Sequence, residues 1–175
     1  MPPSILVAYS TQSGSTAEVA GAIAESFREL GLKTDLLPVS QVRSPSGWTA
    51  ILLGVPLYVG RFPKEFRRFL ALQRDALAPL PTWCFVLGPT RTEPADFVAA
   101  RKQAEKQLAR FPWFHPVELR IFGGRWDATH LPFPFTLVRY LPANPLNRIP
   151  ASDIRDWQEI RAWGQGIARK FVPAA

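Results

Sequence analysis

Ile5-Leu6-Val7-Ala8-Tyr9-Ser10-Thr11-Gln12-Ser13-Gly14-Ser15-Thr16 decides the fold. Five apolar residues in a row read as a strand buried on both faces, the kind found in parallel sheets. The next residues are small and hydroxylated. Val19, Ala20, Ile23, Ala24, Phe27 and Leu30 then recur at helical spacing, and Gly31 closes the helix. Strand, polar loop and helix together make the first half of a βαβ unit.

The same alternation continues along the chain. Thr34 to Val39, Ala50 to Gly54, Thr82 to Leu87 and Val117 to Phe122 read as further strands. Helices are expected from Pro63, over Pro94 to Phe111, and from a Ser152 or Asp153 cap to about Phe171. This order predicts an α/β fold, a five-stranded parallel sheet with helices on both faces. Its length of 175 residues fits one domain.

Residues 123–150 break the alternation and are expected to be an insertion. They carry five of the 18 prolines, and 110–141 hold eight of the 21 aromatic residues. Loops this long inside a compact domain are usually functional. Leu131 to Leu141 is apolar, aromatic and lightly basic, suited to walling a planar substrate, touching a membrane interface or completing the core.

Composition excludes several classes. One cysteine, Cys84, leaves no disulfide framework and no thiolate metal site, and reads as a small buried hydrophobe. His115 and His130 lack ligands at metal spacing, so no metal is expected. No stretch approaches the roughly 20 apolar residues of a spanning helix. The N-terminus lacks a basic leader, so the chain is expected in the cytoplasm, with peripheral contact at the inner membrane face left open. The net charge is +7, with +2 before residue 88 and +5 after it. That balance favours anionic partners. The basic residues are spread over several elements without a nucleic-acid motif, and nucleic acid is not an expected partner. The oligomeric state is not legible.

The loop Ser10 to Thr16 offers backbone N–H groups, hydroxyls and a helix N-terminus, which together make an anion site. It has no lysine and no G-x-G-x-x-G, so it is neither the nucleotide-phosphate loop nor the dinucleotide fingerprint. A terminal phosphate monoester held by hydroxyls and amides fits it. A capped helix start without ligand is the plainer alternative.

Thr11-x-Ser13-Gly14-x-Thr16 resembles the phosphate loop of flavodoxins, which bind flavin mononucleotide (FMN). The loop Pro56-Leu57-Tyr58-Val59-Gly60-Arg61 resembles the one flanking their flavin ring, with Tyr58 available to stack and Gly60 allowing close backbone approach. Gly88-Pro89-Thr90-Arg91 would close the other side. The resemblance therefore implies FMN bound by Ser10, Thr11, Gln12, Ser13, Gly14, Ser15, Thr16, Pro56, Leu57, Tyr58, Val59, Gly60, Arg61, Gly88, Pro89 and Thr90.

Gly60-Arg61-Phe62 with Phe66 and Phe69, the insertion opening Gly123-Gly124-Arg125, and the helix entry Asp156-Trp157 resemble the flavodoxin-domain protoporphyrinogen oxidase family. That resemblance implies a porphyrinogen or other planar donor, a quinone acceptor and a role in heme biosynthesis. The propionates would meet Arg61, Arg91, Arg125 and Arg139, with Trp126 and His130 also lining the substrate. No catalytic side chain stands out, since the chemistry would belong to the flavin. An electron carrier, a quinone reductase with another donor and a flavin-free binding module remain as rival readings.

Overall fold

The computed structural model describes residues 3–126 and 151–172. Five strands, β1 (Ser4–Tyr9), β2 (Lys33–Pro38), β3 (Ala50–Pro56), β4 (Thr82–Leu87) and β5 (Glu118–Phe122), form one sheet. The order is β2-β1-β3-β4-β5 and every pairing is parallel. The helices are α1 (Ser15–Glu29), α2 (Lys64–Leu72), the single turn α3 (Arg74–Leu77), α4 (Pro94–Leu108) and α5 (Trp157–Ala168).

Period-two alternation sends each strand into two cores. In β1, Ile5 and Val7 pack with Val19, Ile23 and Phe27 of α1 and with Ile160 and Ile167 of α5. Leu6 and Ala8 face the other way, toward Phe66, Phe69 and Leu70 of α2 and Ala100 and Ala104 of α4. Both sets are almost wholly removed from water, so strands with no polar face are the economical solution. Cys84 is fully buried within β4, and desolvation pushes its thiol up to about 12, as expected of an inert structural cysteine.

Three features differ from the sequence reading. Helix α4 stops at Leu108 rather than Phe111, and Phe111 donates its N–H back to Leu108 in a closing turn. Val98, expected inward, is 55% exposed. The cap of α5 is Asp156, whose carboxylate accepts from the Glu159 N–H at 2.9 Å. Ser152 and Asp153, expected to cap that helix, instead form β7 (Ser152–Asp153). This strand pairs antiparallel with β6 (Arg125–Trp126). The segment opened at Gly123 thus begins and ends in a two-rung ribbon. Residues 127–150, most of the expected insertion, lie outside the described residues.

Strand order explains where a ligand belongs. The chain leaves β1 toward β2 on one side, then returns to place β3 on the other. Ligands of open parallel sheets sit at that reversal, beyond the carboxyl ends of the strands. The loops after β1, β3 and β4 all emerge there.

Candidate flavin site

The loop after β1 is shaped by its own hydroxyls. Thr11 Oγ1 accepts the Gly14 N–H at 3.0 Å, folding residues 11–14 into a turn. Gly14 has φ +86°, a left-handed conformation that suits glycine. It sits at the N-cap of α1, where side-chain capping is absent. The first N–H groups of α1 therefore lack intrahelical partners and face whatever occupies the loop. Thr16 Oγ1 is the telling atom. Thr16 is only 1% exposed, and its hydroxyl has no hydrogen-bond partner among the described residues. A buried hydroxyl without a partner, one residue into a helix whose first amides are free, fits an anion bound at that helix start.

The loop after β3 is a tight hairpin. Tyr58 and Arg61 exchange both backbone hydrogen bonds, at 3.0 and 2.8 Å. Val59 (φ +47°) and Gly60 (φ +71°) are both left-handed, as a two-residue hairpin loop of the primed type demands. Asparagine is the usual first residue there; this chain has a β-branched valine that is 91% exposed. Replacing Val59 by Asn should therefore stabilise the flavin-free protein by about 1 kcal/mol, read as a higher denaturant midpoint at unchanged slope. The Tyr58 hydroxyl is 2.9 Å from Ser13 Oγ, so this hairpin is tied to the β1 loop across the reversal point.

The loop after β4 carries the third wall. Gly124 donates its N–H to the Pro89 carbonyl, and Ser152 Oγ donates to the Thr90 carbonyl at 3.0 Å. The β6–β7 ribbon is thereby stitched onto this loop. A cleft of about 240 Å³ lies between these parts. Ser15, Pro56, Leu57, Tyr58, Val59, Gly88 and Thr90 line it, as does the ribbon through Arg125 and Trp126. Leu87 and Gly124 line it too, and neither is among the cofactor or substrate contacts expected from the sequence. Trp126 Nε1 is buried without a partner among the described residues.

Other expected residues sit differently. The Ser10 hydroxyl is buried and turned to the Glu65 carboxylate, away from the loop it was expected to serve. Gln12 and Arg61 are exposed at the rim. Gly60 is packed against the Gln103 side chain, and the Pro89 ring is buried. Arg91 points away, held by Asp96 at 3.0 Å. His130 and Arg139 lie outside the described residues.

A charge network that the sequence did not announce backs the cleft. Arg125 donates to Glu18 Oε1 at 3.1 Å and approaches the Ser13 carbonyl at 3.4 Å. Arg155 donates to the other Glu18 oxygen at 2.7 Å and to Asp153 at 2.8 Å. The Arg155 side chain is only 3% exposed, and its guanidinium lies 4.6 Å over the Trp157 ring. Hydrogen bonding to Arg155 holds the Asp153 carboxyl below the usual carboxylate range.

Comparison with known proteins places this geometry. Residues 6–134 match the family described as Flavodoxin domain. The chain belongs to that family. Flavin mononucleotide is the cofactor that such a domain holds, and the residues here fit it. A loop with free amides and an orphaned Thr16 hydroxyl suits its phosphate, and the cleft between Tyr58 and Trp126 suits a planar ring. Flavodoxin 1 of Bacillus cereus superposes with a TM-score of 0.56 at 15% identity, covering 97% of this chain and 99% of that one. A flavodoxin of Pseudomonas aeruginosa superposes at 0.60 and 13% identity, covering 96% and 98%. Protoporphyrinogen IX dehydrogenase [quinone] of Escherichia coli K12 is 25% identical over 173 residues, covering 93% of each chain. Among the described residues no helix is long and apolar enough to cross a membrane, and no cluster of His, Cys, Asp and Glu could hold a metal.

Proposed function

We propose that this flavodoxin-domain protein is an FMN-dependent dehydrogenase that oxidises a porphyrinogen and delivers the electrons to a quinone, a step of heme biosynthesis. The observation that carries the reading is the third wall of the cleft. A plain carrier needs only an exposed flavin edge, whereas here a ribbon spliced in after β5 stands against the cleft, and the sequence between its two strands is rich in aromatic and apolar residues. The net charge of +7 points the same way, because the substrate would bring two propionates. The Escherichia coli relative supplies the substrate class at 25% identity.

When bound, FMN supplies the two-electron chemistry. The protein's part is positioning. The β1 loop would hold the phosphate through its amides and the Thr16 hydroxyl. Leu57, Leu87, Tyr58 and Trp126, which line the cleft, would hold the ring and exclude water from it. Arg61, exposed on the hairpin rim, would take a propionate of the donor. His130 and Arg139 remain candidate substrate contacts from the insertion, and contact with a membrane surface where a quinone dissolves belongs to the same proposal.

The test is anaerobic mixing of the FMN-loaded protein with protoporphyrinogen, followed by a water-soluble quinone. The flavin absorbance should bleach with the first and return with the second. Flavin that a porphyrinogen leaves oxidised, but a reductase protein bleaches, would replace this reading with that of an electron carrier.

A further inference from the structure

The loop after β1 contains no lysine or arginine, yet the folded chain brings it a cation from 112 residues away. Arg125 opens β6, and its register partner on β7 is Asp153. One guanidinium nitrogen lies 3.1 Å from Glu18 and the other 3.4 Å from the Ser13 carbonyl, in the middle of the loop. Arginine has five N–H donors, and these two contacts are the ones it makes among the described residues.

The partners say which arginine is structural and which is available. Arg155 is almost wholly buried and is neutralised twice, by Asp153 and by Glu18. Arg125 keeps a quarter of its side chain exposed and, among the described residues, pairs only with Glu18, whose charge Arg155 also claims. A second observation comes from the start of α1, where the loop ends: Thr16 is 1% exposed and its hydroxyl is unpartnered among the described residues, so it is open to a ligand's oxygen.

We propose that Arg125 is a phosphate-binding residue of the flavin site, not a substrate anchor, and that it supplies the positive charge the loop itself lacks. This rests on the flavin reading above. A phosphate monoester carries close to two negative charges at neutral pH. Amides and hydroxyls alone would leave that charge uncompensated, whereas a guanidinium can meet it with two parallel N–H donors. Because Arg125 belongs to the ribbon, phosphate binding would also fasten the stem of the 127–150 segment to the loop.

The experiment is titration of FMN and of riboflavin, which lacks the phosphate, into wild type, Arg125→Ala and Arg125→Lys, followed by flavin fluorescence. Arg125→Ala should weaken FMN roughly 10- to 100-fold and riboflavin less than about threefold. Arg125→Lys should recover part of the FMN loss. Raising salt from about 0.05 to 0.5 M should weaken FMN binding in wild type more than in Arg125→Ala. Equal losses for both flavins in both variants, or no loss for either, would overturn the proposal while leaving FMN binding by wild type intact. A wild-type protein that binds neither flavin would remove the flavin reading, and this proposal with it.

Discussion

Gly54→Ala is expected to lower the unfolding free energy by about 3 kcal/mol and the melting midpoint by roughly 6–12 °C. Gly54 lies in the middle layer of the sheet, paired with Tyr9 on β1 and Phe85 on β4. A Cβ there would stand 2.3 Å from Phe85 Cζ and 2.6 Å from Cε1. The ring cannot retreat: Phe85 is fully buried, with the Phe122 ring centroid 6.0 Å away and the Trp163 centroid 6.3 Å away. Protein interiors are packed too tightly to absorb a methyl group against such a ring. The strain also reaches the cleft, because the Gly54 carbonyl accepts the Ser10 N–H at 2.9 Å, where the β1 loop begins. Thermal unfolding followed by circular dichroism measures the loss. Adding Phe85→Leu to Gly54→Ala should recover part of it, which is the coupling expected of two residues in contact. A midpoint for Gly54→Ala within about 1 °C of wild type would mean that the sheet accommodates the methyl and that this packing account is wrong.

Thr16→Val should move stability and affinity in opposite directions. In the flavin-free protein the Thr16 hydroxyl is buried with no partner among the described residues, so it contributes desolvation cost and no bond. Replacing it with a methyl of similar shape should raise stability by about 1 kcal/mol. In the loaded protein the same hydroxyl would donate to a charged phosphate oxygen. Its removal should weaken FMN roughly 10- to 100-fold while riboflavin changes little. Denaturant melts and paired flavin titrations give both numbers. A valine variant that is less stable without flavin, or that binds FMN as tightly as wild type, would show that the hydroxyl has a structural partner and no part in the site.

Much of this was legible in the sequence because buried parallel strands leave an unambiguous trace. Ile5 to Ala8 and Trp83 to Leu87 are apolar throughout, and the helices between them show their apolar faces at regular spacing. The β1 loop was readable from its hydroxyls and glycine. The β6–β7 ribbon was not. Two-residue strands have no periodicity, and the pairing of Arg125 with Asp153 spans a stretch that local pattern does not connect. The Arg125–Glu18–Arg155–Asp153 network is invisible for the same reason, since its members come from α1, from both ribbon strands and from the approach to α5. The true cap of α5 did carry a signal: Asp156 stands three residues before Glu159, the spacing of a capping box. The strained turn at Val59-Gly60 was hidden by its valine, where an asparagine would have announced a hairpin. Ser10 misled because a small hydroxyl at the end of a strand serves a phosphate and a neighbouring carboxylate equally well, and here Glu65 takes it.

The central claim is that the cleft beyond β1, β3 and β4 holds FMN by its phosphate. The visible absorption spectrum of the purified protein tests it most directly, taken before and after incubation with FMN and desalting. A retained flavin band corresponding to one FMN per chain, with riboflavin lost on the same column, is the predicted result. A protein that stays colourless through both steps would contradict it.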